Sequence, residues 1–483
     1  LFPAPDALEK VACAAGSSGQ IAMRVLGIFF LAVIWWSGQV LQDWLTALVQ
    51  MLALVQIAGF SFQTALLGYT NTSVWLIAGA FCLSAAISKA GLFQRISFFF
   101  IRRFSPTFRG QVLALLLAGT ICAPLLPSTT AKAVFGASIA NGIADTLGYA
   151  PGSKARCGLF LASYVGFAGV TPAFMSAGVS SYILLGFLPE RVAAGMSWGR
   201  WLLNASVWLL FVLGGSYAVL CRFFAPEQDA SAVSEDLHTK WQTHSKLKKP
   251  ERICAILLAF AFALWVFGSK LHIEAAVTAL VAAVLCFVFG ILAGNDLFTA
   301  VPWKLFLFLG CVLNIASTFA RTGIDIWLTE LFAPAFSQLQ HPALFLSAVA
   351  LSVLALRLIL ISQTASISIL LSVLIPAAAR FSFSPFLVGF TVLAVQGCWF
   401  LPHQNTVQIA ALGCMHESVQ HRQTAAFCVA FETLSLLGCQ CSIPMWSLLS
   451  RMRTTLRTLN GSRSVTNSML RCRRLRTEPD TPQ

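Results

Sequence analysis

Two short polar runs interrupt long apolar stretches, and their residue types suit an anion. Pro127-Ser128-Thr129-Thr130 breaks the first stretch and Ser362-Gln363-Thr364 the second. A proline that stops one helix just before hydroxyl residues opens the next leaves free backbone N–H groups at the positive end of a helix dipole. Such an end receives carboxylate or sulfate oxygens, and the hydroxyls add donors for an anion or oxygen ligands for a cation. About forty residues beyond each run lies a second break. Gly166, Gly169, Thr171 and Pro172, followed by Ser176, Gly178 and Ser180, interrupt 157–187; Pro402, His403, Gln404, Asn405 and Thr406 interrupt 386–412. Broken helices expose carbonyls that can ligate Na⁺ and N–H groups that can hold an anion. Lys132 falls just past the first tip, where an intramembrane charge is a functional candidate, unless its stem lets the ammonium snorkel to the interface. His403 is a candidate proton carrier or a hydrogen-bonded structural group.

The landmarks repeat. Ser88-Lys89-Ala90-Gly91-Leu92 and Ala320-Arg321-Thr322-Gly323-Ile324 read as similar helix ends, 232 residues apart. Ser128 and Ser362 are 234 apart, and Pro172 and Pro402 are 230 apart. A near-constant offset marks a duplicated unit, and interrupted helices at matching places in two halves point to a transporter's binding site.

The elements that must carry these residues are membrane helices. Of 483 residues 57% are hydrophobic and 10% charged, against roughly 25% charged in soluble domains. Runs such as Ala255–Phe267 and Val277–Leu292 lack the alternation of a transmembrane barrel. Hydropathy places helices at 22–38, 42–58, 73–90, 111–126 with 132–146, 157–187, 201–221, 253–269, 274–294, 303–320, 343–360 with 366–380, 386–412 and 424–447. Amphipathic pieces follow the paired glycines near 93–107 and 324–337. The cysteines, including Cys439-Gln-Cys441, show no metal-ligand spacing and read as small apolar residues.

Charge gives orientation. Phe93–Gly110 contains Arg95, Arg102, Arg103 and Arg109, whereas Ile324–Pro342 contains Asp325 and Glu330 and no Lys or Arg. The positive-inside rule puts the first piece in the cytoplasm and the second outside, so the repeats are inverted. Residues 1–21 read as a polar N-terminal segment, with a further helix expected upstream. Repeat 1 spans 22–221, a cytoplasmic linker 222–252, repeat 2 253–449, and a basic tail 450–483. Counting spans puts that tail outside, although Arg451–Arg476 holds eight arginines. The net charge of +14 owes much to tail and loops and implies no nucleic-acid partner.

With these residues in place, the chain resembles the divalent anion/sodium symporter family. The resemblance runs from about Val25 to Leu449 through Ile34-Trp35-Trp36, Val74-Trp75-Leu76-Ile77-Ala78-Gly79, Pro302-Trp303, Phe308-Leu309-Gly310, both tips and Phe400-Leu401-Pro402. It implies an all-α polytopic membrane protein with two re-entrant hairpins, two broken helices, a scaffold (22–92 and 253–322) and an elevator-type transport domain (111–221 and 343–447). It also implies a homodimer in a lipid bilayer, expected in a bacterial inner membrane. The implied substrate is a small dicarboxylate or sulfate, with Na⁺ as coupling ion and no other metal or organic cofactor. The family's tips carry Ser-Asn-Thr; here Thr129 and Gln363 replace the asparagines. Its Gly-Thr-Pro-Pro-Asn-like run reads Phe174-Met175-Ser176-Ala177-Gly178, and Asn405-Thr406 replaces the Thr-Pro pair after Pro402.

The expected substrate ligands are Ser128, Thr129, Thr130, Lys132, Ser362, Gln363, Thr364 and Asn405. The expected sodium ligands are Ser128, Thr129, Gly169, Thr171, Gln363 and Gln404. Exchangers of the family carry an Arg near the position of Lys132, so sodium-independent exchange is the alternative to symport. A proton-coupled or metalloid anion permease using His403 is another. No His-Glu-x-x-His, Gly-x-Ser-x-Gly or paired intramembrane Asp supports an enzyme. Asp145 reads as the one acid near a hairpin, at its solvated end.

Overall fold

The computed structural model describes residues 3–226, 248–271, 273–337, 341–360, 362–380, 383–401, 404–415 and 419–447. Among them seven helices are long and apolar enough to cross a membrane, and several shorter apolar helices accompany them. The longer helices of the first half are α1 (Asp6–Ala14), α2 (Gly19–Gly38), α3 (Asp43–Gln56), α4 (Thr72–Ala90), α5 (Leu92–Ile101), α6 (Phe108–Cys122), α7 (Thr129–Thr146), α8 (Lys154–Tyr164), α9 (Val179–Phe187) and α10 (Trp198–Phe223). The second half runs α11 (Lys249–Leu271), α12 (Ala275–Val288), α13 (Trp303–Thr322), α14 (Ile324–Ser337), α15 (Pro342–Ile359), α16 (Gln363–Arg380), α17 (Pro385–Val395), α18 (Thr406–Gly413) and α19 (His421–Ser447). From α2 onward each element of one half has its counterpart in the other.

Local chemistry explains the shared punctuation. α4 ends at Gly91 (φ 80°) and α13 at Gly323 (φ 71°), both left-handed, a conformation in which a Cβ is costly. Each is followed at once by a short amphipathic helix. α1, in the segment read as merely polar, is a helix that buries Leu8 and Ala12. It rests on Gly323, where a Cβ would come within 2.8 Å of Val11 Cγ1.

Ion pairs tie helices together at one end of the bundle. Arg95 on α5 pairs with Glu251 on α11 at 3.0 Å, so α5 lies at the end where α10 finishes and α11 starts. Lys89 pairs with Asp296 at 2.6 Å beside the start of α13; with the N–H of Ala293 it holds the Asp296 carboxyl below the usual range. α13, twenty residues long, then spans about 30 Å to the opposite end, where α14 and α1 meet. The amphipathic helices of the two halves thus sit at opposite ends, and the repeats are inverted. Pro402, His403, residues 227–247 of the linker and the arginine-rich tail lie outside the described residues.

Candidate functional site

Both tips are built on a serine cap. Ser128 Oγ accepts from Ala131 N at 3.3 Å and opens α7; Ser362 Oγ accepts from Ala365 N at 3.3 Å at the start of α16. These caps start both helices three residues earlier than hydropathy suggests, at Thr129 and Gln363, because a capping hydroxyl satisfies an orphan N–H that apolar patterning does not register. The breaks are equally defined. After α8 the chain passes through a π turn (Val165–Gly169), a 3₁₀ turn (Thr171–Ala173) and extended residues before α9. The indole of Trp201 donates to Pro172 O at 3.0 Å. In the second break Asn405 Oδ1 accepts from Val407 N and Gln408 N, both at 3.1 Å, and caps α18. Trp399 donates from its indole to Thr424 O at 2.9 Å, holding that break against α19.

All four features meet at one cavity of about 410 Å³, within the 300–1,000 Å³ typical of small-molecule sites. Ser128, Thr129 and Thr130 face it from the first tip; Ser362, Gln363 and Thr364 face it from the second. Val179 with Ser180, and Thr406 with Val407, face it from the two breaks, and Gln39, Asp43, Pro302 and Gln396 are among the residues that line the rest. The tip and break residues open α7, α16, α9 and α18 respectively. Four helix N-termini converge on one space, and no Lys or Arg among the described residues lines it. An anion there meets four partial positive charges and hydroxyl donors. A pocket of about 70 Å³ adjoins it, lined by Thr129, Gly169, Thr171, Gln363, Gln396 and Asn405 among others. Thr171 Oγ1 and Gln396 Oε1 are buried with no hydrogen-bond partner among the described residues. A larger cleft of about 590 Å³ lies elsewhere, beside Asn71, Glu190, Trp198 and Glu274, and contains neither tip.

Two expected ligands are used differently. Lys132 does not line this cavity and does not snorkel: it is fully buried, and its Nζ donates to Ala123 O at 3.0 Å and Ala177 O at 2.6 Å. It joins the end of α6 to the first break. Gln404 is 1% exposed and spends its side chain on Leu401 N (3.0 Å) and Arg357 O (3.2 Å). Arg357, which sequence reasoning passed over, is the counterpart of Lys132. It donates to Leu360 O at 2.7 Å and to Gln404 O, joining the second hairpin to the second break. A lone arginine in an apolar run was the signal available.

Three further residues were missed. Gln396 lines both spaces. Asp43, at the start of α3, accepts from Ser362 Oγ at 2.5 Å, so Asp145 is not the one acid at a hairpin. Asp145 itself pairs with Arg156 at 2.5 Å, its side chain 59% exposed. Glu432 on α19 is buried, and neither carboxyl oxygen has a hydrogen-bond partner among the described residues.

Helical halves that bring two serine-capped helix starts and two broken helices to one polar cavity define a multi-pass membrane carrier. The family model described as the sodium:sulfate symporter transmembrane region matches residues 3–449, and the chain belongs to that family, whose members are transporters and not enzymes. It is 26% identical over 342 residues to the putative malate transporter YflS of Bacillus subtilis, covering 68% of each chain. It is 25% identical over 371 residues to the L-tartrate/succinate antiporter of Escherichia coli K12, covering 74% of this chain and 73% of that one. The crystal structure of the Alcanivorax borkumensis YdaH transporter shares the fold with a TM-score of 0.51 at 15% identity, over 80% of this chain and 88% of that chain.

Proposed function

We propose that this protein exchanges small dicarboxylates across the membrane without sodium coupling. The convergence of four helix N-termini on a hydroxyl-lined cavity carries the reading. A dicarboxylate would place one carboxylate at each tip, taking donors from Ser128, Thr129 and Thr130 on one side and Ser362, Gln363 and Thr364 on the other. Asn405 holds the second break in shape through α18. The malate and tartrate/succinate relatives support this substrate class. Sodium independence is supported by Lys132 and Arg357. Each holds its charge against carbonyls that join a hairpin to a broken helix, a place suited to a coupling cation. A cation fixed to the chain behind each tip stays with it in both directions of travel, which suits exchange. The elevator movement belongs to the same proposal, with 22–92 and 253–322 as a dimeric scaffold and the re-entrant hairpins moving with 111–221 and 343–447.

The test is counterflow of labelled succinate into proteoliposomes preloaded with unlabelled succinate, in sodium and in choline. Equal uptake in both supports the proposal, and absence of counterflow for succinate, malate, tartrate and sulfate overturns it. Sodium symport is the second reading, favoured by the 70 Å³ pocket. Thr129, Gly169, Thr171 and Gln363 surround it, and its unpartnered Thr171 and Gln396 oxygens are neutral ligands of the type sodium takes. Uptake that requires sodium would select it.

A further inference from the structure

Asp43 stands in the cavity on the wrong side of the charge balance for an anion carrier. It is the first residue of α3, in the segment proposed above as scaffold, and it lines the cavity beside the second tip. Its Oδ2 accepts from Ser362 Oγ at 2.5 Å and, at a longer 3.4 Å, from Thr364 Oγ1. Its Oδ1 is buried with no hydrogen-bond partner, and Asp43 makes no ion pair among the described residues. The backbone around it is fixed: the indole of Trp36 donates to Asp43 O at 3.2 Å. A carboxylate lacking a cation is held here by hydroxyl donors and by the N-terminal ends of α3 and α16, where negative charge is favoured.

Those hydroxyls are the donors that a substrate carboxylate needs. They cannot serve both acceptors in the same geometry, and two carboxylates side by side repel. We propose that Asp43 is an internal stand-in for the substrate: it occupies the second tip when the carrier is empty and is displaced when a dicarboxylate binds. Because α3 and α16 belong to different parts of the molecule, the contact ties the hairpin to the scaffold until substrate releases it. An empty carrier is therefore held in place and a loaded one moves, which makes the carrier an exchanger that does not return empty. This rests on the exchange reading and adds the residue that enforces it.

The readout is the ratio of net efflux to counterflow. Proteoliposomes loaded with labelled succinate are diluted into buffer without substrate, and in parallel into buffer with succinate. In the unaltered protein efflux should need external succinate. In Asp43→Ala and in the isosteric Asp43→Asn, net efflux should rise about tenfold relative to counterflow, the scale of losing one hydrogen bond to a charged group. Asp43→Asn in detergent should bind succinate about tenfold more tightly, a readout that does not depend on transport. A ratio and an affinity both unchanged from the unaltered protein, with counterflow intact, overturn the proposal. A lack of any counterflow in the unaltered protein overturns the exchange reading and removes the basis of the latch with it.

Discussion

Lys132 and Arg357 make the same connection in opposite halves of the molecule. Each carries its charge from a hairpin to a backbone carbonyl in the neighbouring broken helix, Ala177 O for Lys132 and Gln404 O for Arg357. The bonds are buried, so removing either donor strands acceptors where water cannot replace it. The two residues thereby clamp each tip to its break, and the four helix N-termini keep their convergence.

Lys132→Ala should therefore destabilise the protein by roughly 2–6 kcal/mol, because two carbonyls lose their donor at about 1–3 kcal/mol for each buried group left unpaired. A thermal-unfolding comparison in detergent checks this. Exchange should fall at least tenfold. If the ammonium occupies the place of a coupling cation, sodium should restore part of the flux in this variant and choline should not. Unchanged stability would show that Lys132 is not part of the clamp.

Ser128→Ala and Ser362→Ala, 234 residues apart, should both weaken substrate binding, and Ser362→Ala should in addition loosen the Asp43 contact. Each removes a helix cap worth about 1 kcal/mol and one donor to the cavity. Succinate KM in counterflow should rise about tenfold in either variant, as expected for one hydrogen bond to a charged group. A KM rise in one variant alone would mean that substrate binds at a single tip.

Gly178 closes the gap between the first break and the first tip. A Cβ there would fall 2.4 Å from Thr171 Cγ2 and 3.3 Å from Thr129 Oγ1. Gly178→Ala should push the break away from the tip, at a cost of about 1–3 kcal/mol for overpacking, and lower exchange while the protein still reaches the membrane. Transport assayed against the amount of inserted protein separates the two effects.

What the sequence made legible was its punctuation. Gly91, Gly323, Pro127, Ser128, Ser362 and Asn405 act through their own backbone and the next few residues, so their types and order reveal the tips, the breaks and the inverted halves. Asp43 and Gln396 escaped because their importance is tertiary. Asp43 lies 319 residues from Ser362, and nothing in its own neighbourhood distinguishes it from an ordinary acid in the first turn of a helix. Lys132 was singled out for its charge, but its direction depends on where Ala177 lies, which only the folded break determines. Arg357 was legible by the argument used for Lys132, as a lone charge in an apolar run beside a tip, although it precedes its tip and Lys132 follows its own.

Glu432 gives the prediction with the opposite sign. Its carboxyl is buried on α19 among Tyr164, Cys398, Cys428 and Cys439, and neither oxygen has a hydrogen-bond partner among the described residues. A carboxylate without a partner in hydrocarbon surroundings is expensive, so a neutral side chain of the same shape should be accommodated at least as well. Glu432→Gln should leave thermal stability unchanged or raise it, by up to about 1–2 kcal/mol, whereas Glu432→Ala should lower it by opening a cavity. Comparing their unfolding midpoints in detergent decides the matter. Loss of stability in the Gln variant equal to that in the Ala variant would mean that the negative charge itself has a partner in the working carrier.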